Sequence, residues 1–204
     1  MRNLQIELDK IIQNLQKKPR LMLHACCAPC SSYVVEYLKN NFEIFLFYYN
    51  PNIAPLFEYE LRKKEAEKLC EHFGINFLCS DWENEKFKEI SKGLENCKEG
   101  GERCTKCFEL RLAKTAELAE KYNCEYFATT LSISPMKNAQ LLCDIGEKIA
   151  SETNAKYLPS NFKKKEGFKR STEISKELGL YRQNYCGCIF SKKESEERLS
   201  IHDN

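Results

Sequence analysis

The stretch Leu21-Met22-Leu23-His24-Ala25-Cys26-Cys27-Ala28-Pro29-Cys30 decides how this chain is organised. Its first three residues are apolar and predict a short buried strand, and three thiols follow shortly after it. Thiolates are preferred protein ligands of zinc and of iron–sulfur clusters. The stretch therefore indicates a metal bound at the end of a core strand.

Strand and helix signals alternate on both sides of this stretch. The first half is expected to form a helix over 4–16, a strand over 21–23, a helix capped by Ser31 and Ser32 and closed by Asn40-Asn41, a strand over 43–49, a helix over 56–72 and a strand over 75–79. The second half is expected to form a short helix over 81–90, a loop over 93–103, a helix opened by Cys104-Thr105-Lys106-Cys107, a strand over 126–129, a loop over 132–138, a helix over 139–151 and a strand at 157–158. This alternation predicts an α/β fold with a parallel sheet between helices.

The C-terminal part of the chain has a different composition. Residues 162–170 are basic and interleaved with aromatic residues, and a short helix is expected over 171–178. The segment Tyr181-Arg182-Gln183-Asn184-Tyr185-Cys186-Gly187-Cys188 then precedes a polar helical end. We expect a single domain over 1–204, with a core over about 20–160 and a basic, cysteine-containing helical extension over 161–204.

Composition restricts where the chain works and what it binds. The chain of 204 residues has a net charge of +2, so any contact with nucleic acid must come from a local basic patch. Its N-terminus lacks the apolar segment of a signal peptide, and its most apolar run, 44–49, is far shorter than the roughly 20 residues of a membrane-spanning helix. We expect a cytoplasmic protein without membrane contact, whose 12 cysteines serve metal binding or redox chemistry.

Seven of the cysteines lie in tight motifs, and five are scattered. Scattered cysteines are usually small buried hydrophobic residues, and we expect this role for all of them except Cys97, which is left open between a structural and a functional role. The scattered residues are Cys70, Cys79, Cys97, Cys124 and Cys143. The Cys104/Cys107 pair opens a helix, whose free N–H groups are expected to lower thiol pKa values and favour a thiolate ligand.

The two motifs nearer the N-terminus predict one shared site if both reach the carboxyl edge of the sheet. Four thiolates suit zinc or an iron–sulfur cluster, and the position beside a core strand favours an active-site cluster over structural zinc. His24 is expected to be a hydrogen-bonded core histidine and not a ligand. Cys186-Gly187-Cys188 is either a strained, easily reduced redox pair or two unpartnered loop cysteines.

The basic run 163–170 also allows two interpretations. It is either a solvated face or, through Phe162 and Phe168, a surface that stacks on bases and binds phosphates.

Five motifs together resemble a known family. They are His-Ala-Cys-Cys-Ala-Pro-Cys-Ser (24–31), Tyr-Asn-Pro-Asn-Ile-Ala-Pro (49–55), Arg-Cys-Thr-Lys-Cys-Phe-Glu-Leu-Arg-Leu (103–112), Thr-Thr-Leu-Ser-Ile-Ser-Pro-Met-Lys-Asn (129–138) and Tyr-Arg-Gln-Asn-Tyr-Cys-Gly-Cys (181–188). In this order, over residues 20 to about 190, they resemble the QueH family of epoxyqueuosine reductases. The resemblance implies a Rossmann-like sheet of the HUP type. It also implies a two-electron deoxygenation of epoxyqueuosine to queuosine at the wobble position of tRNA.

The resemblance further implies a 4Fe-4S cluster with an adjacent mononuclear iron. Carried over by motif position, Cys26, Cys27, Cys104 and Cys107 are the cluster ligands, and Cys30 is the ligand of the neighbouring iron. The implied partners are a tRNA that carries epoxyqueuosine and an unknown electron donor.

A mechanism follows from that arrangement as a hypothesis. Cys186 and Cys188 would relay electrons or protons as a redox-active pair, and Arg182 would position the substrate or the tRNA backbone. Tyr48, Asn50 and Lys137 are weaker candidates for lining the pocket.

Two other functional classes compete with this interpretation. A PP-loop iron–sulfur tRNA thiolase shares the fold but needs Ser-Gly-Gly-x-Asp-Ser after the first strand, where this chain has Cys-Cys-Ala-Pro-Cys-Ser without a glycine to let phosphate approach. A non-catalytic zinc-binding RNA module would contain zinc without iron or sulfide.

Overall fold

The structure, a computed structural model, describes residues 2–202. A parallel sheet lies at the centre of the fold. Its strands are β1 (Arg20–Ala25), β2 (Glu43–Tyr48), β3 (Asn76–Cys79), β4 (Tyr126–Thr129) and β5 (Lys156–Tyr157). All neighbouring strands are parallel, in the order β3-β2-β1-β4-β5. The predicted Rossmann-like parallel sheet flanked by helices is confirmed.

The helices alternate with the strands as the sequence predicts. They are α1 (Leu4–Gln13), α2 (Ala28–Leu38), α3 (Leu56–Phe73), α4 (Asn84–Ser91), α5 (Glu102–Lys121), α6 (Ala139–Ala150), α7 (Gly167–Glu177) and α8 (Ile189–His202). Helix α3 ends at Gly74, whose φ of 62° places it in the left-handed conformation that glycine adopts without strain. In the described part of the chain, no helix combines the length and the hydrophobicity needed to cross a membrane.

Strand β1 is buried on both faces because it is the middle strand of the sheet. Leu21 and Leu23 pack into an apolar layer that includes residues of α2, α3 and α7, whereas Met22 packs into the opposite layer with residues of α5 and α6. The alternation of side chains along a strand sends His24 to the same face as Met22. This geometry places His24 beneath α5.

Two predicted helix starts are wrong. Helix α2 begins at Ala28, with Cys27 as the N-cap, and not after the two serines. Pro29 is tolerated in the first helical turn, so the helix starts inside the cysteine motif, and the Ser31 hydroxyl donates back to the Cys27 carbonyl oxygen (2.8 Å). Helix α7 begins at Gly167 and therefore includes the end of the basic run.

Smaller differences concern the ends of elements. The predicted loop 132–138 starts within a short 3₁₀ helix, Thr130–Ile133, and α1 ends at Gln13, three residues earlier than expected. Of the two rings for which a stacking role was left open, Phe162 is buried in the core (1% exposed) beside Tyr37 and is excluded from it, while Phe168 is exposed.

Candidate functional site

The carboxyl ends of β1 and β4 form the crevice of the sheet. The chain passes from β1 outward to β3 and then returns to place β4 on the other side of β1, so the loops after these two strands diverge. Ligands of open α/β sheets bind at such a switch point. Here it contains Cys26 and Cys27 after β1, and Thr130 after β4.

The first cysteine motif brings three sulfur atoms together. The Sγ atoms of Cys26, Cys27 and Cys30 all lie within 4.8 Å of one another, close enough to share one metal ion. Because Cys27 caps α2, the group lies at the start of that helix, where unpaired backbone N–H groups favour negative charge.

The three thiols differ in pKa. Hydrogen bonds with Cys26 and Cys30 hold the pKa of Cys27 well below its ordinary value, and the positive charge of Arg62 acts in the same direction. Hydrogen bonding to Cys26 and Cys27 raises the pKa of Cys30 well above its usual range, and the hydrogen bond with Cys27 raises that of Cys26 to about 11. Cys27 is therefore the most acidic of the three thiols.

Thr130 connects the β4 side of the crevice to this group. Its Oγ1 accepts a hydrogen bond from the Cys26 backbone N–H (3.1 Å), and its hydroxyl donates to the Cys26 sulfur (3.3 Å). These two bonds fix the orientation of the Cys26 side chain relative to β4.

The second cysteine motif opens α5, as predicted. Cys104 and Cys107 line a small cavity together with Cys186 and Cys188. The expectation that the helix start lowers their pKa values is wrong, because burial dominates: it raises the pKa of Cys104 and takes that of Cys107 to about 12.

Cys186 and Cys188 are free thiols in this structure, so the expected disulfide between them is not formed. The loop between them is held by α3: Arg62 Nη1 donates to the Cys186 carbonyl oxygen (3.2 Å), and the guanidinium lies over the Tyr185 ring. Gly187 has a φ of 115°, and a Cβ there would lie 2.8 Å from Ile53 Cγ1. Only glycine fits this close approach.

A wider cleft of about 900 Å³ adjoins the small cavity and opens to solvent. Cys26, Cys27 and Cys30 line it, while Cys186 and Glu99 line both spaces. The two cysteine motifs therefore face adjoining parts of one site.

Of the weaker candidates, only Lys137 lines the cleft. It is buried and forms an ion pair with Glu99 (Nζ–Oε1 2.6 Å). Burial opposes its charge, but Cys186 and Glu99 raise the pKa of Lys137 above its ordinary value. Tyr48 instead donates to the Tyr59 carbonyl oxygen inside the core (3.1 Å).

Arg182 lies on the rim of the cleft. Its side chain is exposed and donates from Nη1 to Ser175 Oγ (3.1 Å). Phe168 and Arg198 line the same cleft, so its opening combines an exposed aromatic ring with two guanidinium groups.

The scattered cysteines divide between core and surface. Cys70, Cys124 and Cys143 are buried, in agreement with the expected structural role. Cys79 is exposed at the end of β3, so its expected burial is wrong, and Cys97 is half-buried.

A buried polar network lies beneath the cysteines. His24 is fully buried, with Nδ1 2.9 Å from Thr129 Oγ1 and Nε2 3.1 Å from the Tyr49 carbonyl oxygen. Burial and the neighbouring guanidinium of Arg111 lower the pKa of His24 to about 3. The ring is neutral and agrees with the expected core histidine.

Comparison with known proteins identifies the family. A family model described as epoxyqueuosine reductase QueH matches residues 21–194, which include both cysteine motifs and the Cys186–Cys188 loop. The chain belongs to the QueH family.

Individual relatives agree with this membership. The epoxyqueuosine reductase QueH of Staphylococcus epidermidis is 38% identical over 94% of this chain and 87% of its own length. That of Thermotoga maritima is 36% identical over 87% of this chain and 93% of its own length.

A solved structure shares the fold. The U34-tRNA thiolase NcsA from Methanococcus maripaludis, with its [4Fe-4S] cluster, superposes with a TM-score of 0.56 over 98% of this chain and 73% of that chain. The sequences are 16% identical, so the likeness concerns the fold.

Sequence reasoning about this QueH-family chain missed several residues of the site. Arg111 lies four residues after Cys107 and therefore on the same face of α5, a spacing that could have predicted it. Thr130, Arg62 and Glu99 approach the cysteines from elements distant in sequence, and no local pattern marks them.

Proposed function

We propose that the chain is an epoxyqueuosine reductase, which removes the epoxide oxygen of epoxyqueuosine in tRNA and leaves queuosine. The observation that carries the proposal is the placement of two cysteine motifs around adjoining cavities at the carboxyl edge of the sheet, in a chain that belongs to the QueH family. The reaction consumes two electrons and two protons and releases water. It therefore needs an external electron donor besides the tRNA.

The cofactor that we propose is a 4Fe-4S cluster held by Cys26, Cys27, Cys104 and Cys107, with an adjacent mononuclear iron held by Cys30. The residues fit such a group, because all five thiols are free and line adjoining cavities. When bound, the metal centre supplies single electrons and a Lewis acid for the epoxide oxygen.

The remaining residues of the cleft bind and orient the substrate in this proposal. The Lys137 ammonium, held by Glu99, can donate a hydrogen bond to an oxygen of the modified base. Arg182 and Arg198 at the opening can contact phosphates, and the exposed ring of Phe168 (42% exposed) can stack on a neighbouring base. The expected positioning role of Arg182 is consistent with its place on the rim.

The experiment that tests the function is nucleoside mass spectrometry of tRNA. In cells lacking this protein, epoxyqueuosine should accumulate and queuosine should disappear, and the gene on a plasmid should restore queuosine. Unchanged queuosine in a strain with no other epoxyqueuosine reductase would refute the proposal.

The competing classes predict different results in the same cells. If the protein were a thiolase, its loss would lower a thiolated nucleoside and leave queuosine intact. If it were a zinc-binding module, the purified protein would contain zinc without iron or sulfide. The turn after β1, Cys26-Cys27-Ala28-Pro29, lacks the glycines that bring phosphate close to the backbone. This absence of glycines disfavours a thiolase that uses ATP.

Cys186 and Cys188 are proposed to relay electrons or protons to the cleft. Cys186→Ser and Cys188→Ser should each lower turnover by about 100-fold, the low end of what a positioned proton donor contributes. Turnover is measured with a chemical reductant and with a physiological donor system, and Cys79→Ser, at an exposed thiol outside the site, is the matched control. Full turnover of both variants with both reductants would exclude the relay.

A further inference from the structure

Arg111 is a fully buried cation whose polar partners are all uncharged. Its guanidinium is enclosed in the protein (1% exposed). Nη2 donates to Asn50 Oδ1, and Nε donates to His24 Nε2 (3.2 Å). Nη1 lies 3.9 Å from the Cys107 sulfur. His24 in turn lies against two uncharged groups, with Nε2 3.1 Å from the Tyr49 carbonyl oxygen and Nδ1 2.9 Å from Thr129 Oγ1.

The other large buried arginines have carboxylate partners. Arg62 pairs with Glu58 (2.7 Å), and Arg103 pairs with Glu194 (3.6 Å). Among residues 2–202, Arg111 forms no ion pair with a carboxylate within 4.0 Å, while every other buried arginine in this range does. A buried charge without a counter-charge is expensive, so a compensating anion is expected at this position.

Cysteine thiols lie beside Arg111 as potential anions, and the Cys107 sulfur is 3.9 Å from Nη1. The negative forms of Cys107, Cys186 and Cys26, which belong to the two cysteine motifs and to the Cys186–Cys188 loop, stabilise its charge. The counter-charge of Arg111 is therefore the cysteine site itself, as thiolates or as an anionic group that they bind.

We propose that Arg111 is a positioning residue that supplies the fixed counter-charge of the metal-loaded cysteine site and raises the reduction potential of the group bound there. The inference rests on the proposed function only in requiring a redox-active metal centre. Reduction adds one electron from the external donor and breaks no bond, so the site becomes more negative by one charge. A fixed positive charge in a low-dielectric environment stabilises the reduced form more than the oxidised form.

The test is a redox titration of the iron-loaded protein, followed by electron paramagnetic resonance and absorbance. Arg111→Gln removes the charge and should shift the reduced-to-oxidised ratio at a given potential at least tenfold toward the oxidised form. For one electron, this shift corresponds to a midpoint potential that is lower by about 59 mV. Arg111→Lys retains the charge and should shift this ratio less than half as far on a logarithmic scale.

A second pair of variants keeps the arginine. Asn50→Asp places a carboxylate against Nη2 and neutralises the charge, and it should shift the ratio in the same direction as Arg111→Gln. Asn50→Leu is similar in size, uncharged and also loses the hydrogen bond from Asn50 to the Ala25 carbonyl oxygen, so it is the matched control. If Arg111→Gln fails to fold or to retain iron, the two Asn50 variants decide the question.

The outcomes separate this inference from the proposed function. Equal potentials for Asn50→Asp and Asn50→Leu, or equal shifts for Arg111→Lys and Arg111→Gln, would overturn the role of the charge even if the enzyme reduces epoxyqueuosine. Wild-type protein without iron and sulfide would overturn both the proposed cofactor and this inference.

Discussion

A Cys27→Ser variant should lose at least about 100-fold in epoxyqueuosine reductase turnover, together with most of its bound iron and sulfide. Altering groups that merely support metal ligands typically costs about 10- to 100-fold, and loss of a ligand should cost more. Serine is close in size and is among the best N-cap residues, so α2 should still begin at Ala28. The loss can therefore be assigned to the sulfur atom and not to misfolding.

Iron and sulfide content of the purified protein and turnover on epoxyqueuosine-containing tRNA measure this effect. Cys143→Ser is the control, because Cys143 is also buried but lies in α6 and lines neither of the two cavities. Cys30→Ser distinguishes the proposed ligands: it should remove the adjacent iron and retain the cluster sulfide. Wild-type iron content in Cys27→Ser would exclude Cys27 as a ligand.

The free energy of unfolding of a Glu58→Gln variant should be about 3 kcal/mol lower than that of the wild type. This is the low end of the cost of breaking a buried ion pair. Both side chains of the Glu58–Arg62 pair are buried, at 5% and 2% exposure. Glutamine keeps the shape of the side chain but leaves the Arg62 charge uncompensated. Urea unfolding of the metal-free protein measures the change without a contribution from bound iron.

The control is Glu85→Gln, which breaks an exposed pair with Lys88 and should change the unfolding free energy by less than about 1 kcal/mol. A double variant, Glu58→Gln with Arg62→Met, should recover part of the lost stability because no unpaired charge remains. It should also release the Cys186 carbonyl oxygen from Arg62 and increase the reactivity of the Cys186 thiol toward an alkylating reagent. Equal stabilities of Glu58→Gln and Glu85→Gln would contradict the importance of the buried pair.

Local patterns account for the parts of the fold that the sequence predicts. The apolar run of 44–49 predicts an inner strand, and β2 is indeed covered on both faces. The order of strands and helices follows from alternating periodicities. The start of α2 was misplaced because a cysteine without a capping hydrogen bond, followed by Pro29, is a weaker helix signal than two serines. The burial of Phe162 could not be predicted, because a basic run gives no information on whether an aromatic ring within it faces solvent or core.

The sequence by itself determined the fold class, the cysteine motifs and their chain order, because these depend on neighbours a few residues apart. Only the tertiary structure decided which distant thiols share a space: Cys186 and Cys188 line the cavity of Cys104 and Cys107, and Cys186 also lines the cleft of the first cysteine motif. Tertiary packing also decided that Arg111 is buried without a carboxylate partner among residues 2–202. These arrangements depend on which loops from separate strands come together at one edge of the sheet. Residue spacing along the chain does not predict those contacts.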